Sequence, residues 1–226
     1  MPLRLTLPEK VLLLVLDEIT TWDGAVMPGY LAAGAAIAEL TYRGHITPVG
    51  EGRTTWFQPT YMQHPRDEML AYVLDIMTAK SFEKRAGALV SAVANQRPLI
   101  TGLKNNLLHK GILRRESRQR YLIFWETIFP VDNPVPQEAL VKRMTDTIFG
   151  NRDIPFELAV MITLARGAGV LPHYFDRRLL RAQRQRLNDI GRGAALDRMA
   201  NEYEVDALTA AYVASLAFPG AASHMK

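Results

Sequence analysis

Apolar residues recur along most of this chain every three or four positions, and the recurrence stops at glycines. The clearest case is residues 98–125, PLITGLKNNLLHKGILRRESRQRYLIFW. Leu99, Leu103, Leu107 and Leu108 fall on one stripe, which predicts a helix opening at Pro98. Lys110 suits the last turn and Gly111 a left-handed cap. Ile112 and Leu113 are expected to start a strand, residues 114–120 to form a turn with four arginines and one glutamate, and Tyr121, Leu122, Phe124 and their neighbours to return as the second strand.

The rest of the chain follows the same habit. Thr6 and Glu9 have the spacing of a capping box, just before the apolar run VLLLVL. A buried first helix is therefore expected to about Leu16. Residues 17–29, with Trp22, Pro28 and Gly29, read as a loop. An alanine-rich helix is expected over 30–42, then two short strands at 45–47 and 54–57. Helix, glycine and hairpin thus occur twice. Further helices are predicted over 65–79, 82–94, 136–149, 154–166 (capped by Asp153), 177–188 (capped by Asp176) and 194–218. The fold class is mainly α: a single compact helical domain over residues 1–226 with two small β-hairpins, one protruding.

Composition narrows the chemistry. The 226 residues are 48% hydrophobic and 22% charged, which is ordinary for a globular protein. No cysteine is present, so disulfides, thiolate zinc sites and cysteine nucleophiles are excluded. VLLLVL is far shorter than the ~20 apolar residues that span a bilayer, and the first residues lack a signal-peptide layout. A soluble, cytoplasmic protein is expected. The formal charge of +4 favours anionic partners without choosing between lipid and nucleic acid.

Motifs for catalysis or metal binding do not emerge. His45, His64, His109, His173 and His224 are scattered, no H-E-x-x-H or nucleophile elbow occurs, and Gly50-Glu51-Gly52 lacks the helix start a phosphate loop needs. No catalytic residue, metal or cofactor is assigned. Arginine stands out instead. Arg177, Arg181 and Arg184 are spaced i, i+4, i+7 on the predicted basic helix, and Arg97 precedes the Pro98 helix start, where an anion is favoured. Trp22, in its glycine- and proline-containing loop, has the amphipathic ring of an interfacial residue.

Four stretches in order, LTLPEKVLLLVLD, AELTYRGHI, NNLLHKGIL with RYLIFW, and ELAVMITLARGAGVL, resemble the Golgi phosphoprotein 3 family, over about residues 5–218. The resemblance implies a mostly helical domain whose apolar hairpin serves self-association, here through Ile112, Leu113, Tyr121, Leu122 and Phe124. It also implies binding of phosphatidylinositol 4-phosphate at the cytosolic membrane face and retention of glycosyltransferase clients, as in the eukaryotic members; this short chain looks like a bacterial relative. Of the four lipid-pocket positions the resemblance carries over, Trp22 and Arg97 match, while Ala33 and Ile100 stand where the family has arginines. Loss of two charge-assisted forks favours broader affinity for anionic lipid over strict headgroup recognition.

The expected function is thus a non-enzymatic, peripheral membrane adaptor. Its partners would be anionic lipid, a second copy through the hairpin, and membrane-enzyme clients. The alternative is a winged-helix-like DNA-binding regulator with residues 114–120 as the wing. Nucleic acid ranks lower because the candidate recognition helix is mostly leucine, with Lys104, Asn105, Asn106 and His109 as its base readers.

Overall fold

The computed structural model describes residues 4–16, 26–50, 54–60, 63–79, 85–120, 124–150, 154–193, 209–212 and 214. Trp22, Tyr121, Leu122 and Asp153, the side chain of Phe124, and most of the predicted last helix lie outside them. The protein is mainly α, with two small antiparallel hairpins.

Helix α1 is Leu7–Leu13, opened by the capping box: Glu9 N–H donates to Thr6 Oγ1 at 3.4 Å, and Thr6 N–H to Glu9 Oε2 at 2.8 Å. Its last carbonyls are satisfied from far along the chain. Gln137 Nε2 donates to Leu13 O and Tyr174 Oη to Leu14 O, each at 2.7 Å. Leu7, Val11, Leu12 and Leu13 are buried, as an apolar run without a polar face requires.

Helix α2, Val26–Tyr42, is the centre of the body and is buried from Gly29 to Thr41. Its alanines allow close contact with α1 and with the helices at Glu68–Ala79 (α3), Ala86–Ala94 (α4), Arg97–His109 (α5) and Phe156–Gly167 (α7). Pro28 and Gly29, expected in a loop, belong to its first turn. A proline costs little there because its N–H would be unpaired anyway. Gly29 permits a close approach: a Cβ on it would lie 2.3 Å from the Ala94 carbonyl oxygen at the end of α4.

Strands β1 (Ile46–Val49) and β2 (Trp56–Pro59) pair with Ile46 opposite Pro59. Helices α3 (Glu68–Ala79), α4 (Ala86–Ala94) and α5 (Arg97–His109) follow. On α5, Leu99, Leu103 and Leu107 are buried, as their spacing predicts. Both α2 and α5 end on a glycine of positive φ, Gly44 (71°) and Gly111 (66°). The next N–H then reaches back five residues: His45 to Leu40 at 2.9 Å and Ile112 to Leu107 at 3.0 Å. These are Schellman closures, and each leads into a hairpin.

The second hairpin departs from expectation. Strand β3 is Glu116–Arg120 and β4 is Phe124–Ile128, with Arg120 opposite Phe124 and Glu116 opposite Ile128. The polar stretch expected as a turn is therefore a strand. Its pairing partner supplies the ladder that its own composition does not announce. Ile112 and Leu113 are not in this strand. They are 0% and 3% exposed in the core, and Leu113 bridges Val131 at the hairpin's base.

The C-terminal part comprises α6 (Val135–Phe149), α7 (Phe156–Gly167), α8 (Leu171–Tyr174), α9 (Arg177–Ala182) and α10 (Arg184–Gly191). Helix α7 is apolar almost all round and buried from Leu158 to Ala165. One cluster of buried side chains runs from Leu7 to Ala214. Among the described residues, no helix is long and apolar enough to cross a membrane.

Candidate functional site

The charged groups near α1 are matched to one another. Glu9 is fully buried, and Lys110 Nζ donates to both of its carboxylate oxygens at 2.6 Å, and to Arg4 O at 3.2 Å. Glu39 accepts from Leu7 N–H at 2.7 Å and pairs with Arg43, while Lys10 pairs with Glu157. These pairs hold helices together and leave little charge for a ligand.

The corner between α4 and α5 is different. Arg97 is exposed at the first position of α5, whose first turn holds no acid and whose N-cap, Gln96, makes no side-chain cap. The first turn of α2 packs against this corner through Gly29 and Ala94, and Trp22 precedes that turn by four residues in sequence. Of the two positions that the resemblance sets against family arginines, Ala33 is fully buried within α2 and Ile100 is packed on the core. Ala33 therefore cannot touch a headgroup.

Along the outer face of α5, Lys104 Nζ lies 4.9 Å from the Phe129 ring centroid, with the Arg115 guanidinium 5.8 Å from the same centroid. Burial lowers the Lys104 ammonium's pKa. Beyond Phe129, the β3–β4 hairpin carries Ser117, Arg118, Gln119, Trp125 and Thr127 in solvent, Trp125 at 69% exposure. This outward surface does not include Ile112 or Leu113; burial removes both from the expected self-association face.

The basic helix is two helices. Asp176 caps α9 as expected, accepting from Arg178 N–H at 2.7 Å and Leu179 N–H at 3.1 Å. A turn at Gln183 then separates α9 from α10, so Arg177, Arg181 and Arg184 do not share one continuous face. Arg177 and Arg181 stay on α9, which buries no residue and exposes Leu179 at 56% between its arginines. Phe175, two residues before this helix, meets the Phe149 ring edge-on, with centroids 5.8 Å apart.

Arg184 instead lines a pocket of about 260 Å³ with Thr163 and Arg166 of α7, Asn188 and Gly191 of α10, and Arg192. Asn188 Oδ1 accepts from Arg166 at 2.8 Å. Burial first, and then the nearby charge of Arg184, lowers the Arg166 pKa; Tyr212 opposes the shift. Arg166 falls outside the basic face expected from the sequence, because the apolar residues of its helix read as fully buried. The signal available was Thr163 with Arg166, an i, i+3 polar pair on one face of that helix. Among the described residues, no group of three or more histidine or acidic side chains is placed to hold a metal ion.

Residues 7–211 match the sequence model of the family described as Golgi phosphoprotein 3 (GPP34). The matched stretch takes in most of the chain, and the protein therefore belongs to the Golgi phosphoprotein 3 family.

Proposed function

We propose that the protein is a peripheral, non-enzymatic membrane adaptor that docks on anionic lipid at the cytosolic face. Helix α9 is the observation that carries this reading. It buries nothing, contributes exposed Arg177 and Arg181, and presents Leu179 between them. A short basic element with an apolar side chain at its surface suits the boundary between lipid headgroups and acyl chains. Arg97, at the open end of α5, adds charge near the chain segment that holds Trp22. Family membership supports the same reading. The buried Ala33 and packed Ile100 favour anionic lipid in general over phosphatidylinositol 4-phosphate alone. In this reading the β3–β4 hairpin, with exposed Trp125, contacts a second copy or the bilayer.

Flotation with phosphatidylcholine vesicles, with and without anionic lipid, tests docking. Binding is expected only with anionic lipid, falling as salt rises. At ~1 kcal/mol per basic residue near the surface, Arg97→Glu and Arg177→Glu should each weaken binding about tenfold or more. A protein that stays in the supernatant with every anionic vesicle at low salt ends this reading.

A further inference from the structure

The pocket between α7 and α10 has features that docking through α9 does not use. Three arginines line it, half-buried Arg166 and the exposed Arg184 and Arg192. Arg184 and Arg192 form no ion pair with a carboxylate among the described residues, and no acid among them lines the pocket. Thr163 is 6% exposed, lines the same pocket, and its Oγ1 has no hydrogen-bond partner. Buried polar atoms are rarely left so, and this one lies beside like charges with no carboxylate among the described residues to neutralise them. A carbon placed on Gly191 would lie 3.8 Å from Thr163 Oγ1 and 4.0 Å from Tyr212 Cδ2, so the missing side chain keeps the space open.

We infer that this pocket binds a phosphate monoester. The dianion would accept from the Thr163 hydroxyl and from the three guanidiniums, with Asn188 fixing the plane of Arg166. Arginine forks match phosphate oxygens in geometry and charge. Three cations call for a dianion; one carboxylate would leave most of the charge unmatched. At about 260 Å³ the pocket is below the ~300–1,000 Å³ of drug-sized sites, so the phosphate carries a small substituent or projects from a larger molecule. The ligand's source is either a soluble phosphorylated metabolite or a lipid headgroup, and the pocket's chemistry is the same for both. The inference is independent of docking through Arg97 and α9.

Two binding arms separate the sources. Calorimetry with glycerol 3-phosphate reads the soluble one, with acetate at equal ionic strength as control. Flotation with phosphatidylcholine vesicles containing phosphatidic acid, against vesicles of equal charge containing phosphatidylglycerol, reads the lipid one. Binding of the monoester is expected in at least one arm. It should persist in Gly191→Ala, vanish in Gly191→Met, and weaken about tenfold or more in Arg192→Gln. Thermal melts establish that the variants fold; should Gly191→Met fail to, Arg192→Gln decides. The inference is overturned by acetate binding as tightly, by no saturable binding in either arm at low salt, or by binding that ignores both pocket variants. Vesicle binding lost in Arg97→Glu but unchanged in the pocket variants also overturns it, while leaving the docking proposal standing.

Discussion

Glu9 has lost all contact with solvent, yet both of its oxygens meet Lys110 Nζ at 2.6 Å and one also accepts from Thr6 N–H. Arg166, some distance along the same core, is half-buried among other arginines and donates to Asn188 Oδ1. Both regions place charge next to apolar helices. In the first, opposite charges and caps were placed together, so the ionised groups stitch α1 to α5. In the second, like charges were placed together, and burial first, with Arg184 after it, depresses the Arg166 pKa. Matched charge of the first kind is scaffold. Charge of the second kind meets no carboxylate among the described residues.

Breaking the scaffold pair should have the largest effect. Lys110→Ala leaves the Glu9 carboxylate buried with no cation, and should cost about 3 kcal/mol, the low end for a broken buried pair because Lys110 itself keeps some contact with water. Urea denaturation measures it; a loss below about 1 kcal/mol would show that the two regions do not differ as described. Two glycines sharpen the contrast next. Gly29→Ala forces a carbon to 2.3 Å from a backbone oxygen and should cost about 1–3 kcal/mol. Gly191→Ala meets nothing closer than 3.8 Å and should be neutral or stabilising by up to about 1 kcal/mol. Equal melting temperatures for the two would contradict the packing described for either region. The smallest effect belongs to Arg184→Gln. Removing an unpaired like charge should leave stability within about 0.5 kcal/mol of the parent, on the favourable side, with the difference shrinking at high salt. A clear destabilisation in the same urea titration would mean that Arg184 has a structural partner.

The same contrast explains what was legible beforehand. Thr6 with Glu9, the Leu99–Leu103–Leu107 stripe, Gly111 and Asp176 act over three to five residues, so their spacing alone predicts their geometry. What spacing cannot carry is partner choice across the fold. Residues 116–120 became a strand because β4 lies opposite, and Gln183 breaks a run of good helix formers that no proline or glycine interrupts. Pro28 and Gly29 suggest a loop until the Ala94 carbonyl is seen beside them. Spacing predicts the basic face as one strip of Arg177, Arg181 and Arg184. The turn between α9 and α10 divides it, and the third arginine joins Arg166 and Arg192, to which no local spacing ties it.

The end of α1 has a consequence for how the chain is made. Its terminal carbonyls wait for donors 124 and 160 residues downstream, on Gln137 and Tyr174. During synthesis this first helix emerges long before its closing partners leave the ribosome, so its apolar surface must be shielded or tolerated meanwhile. Such long-range closure also places the protein among slower folders than its helical content suggests, since loop entropy is lost before those contacts reward it.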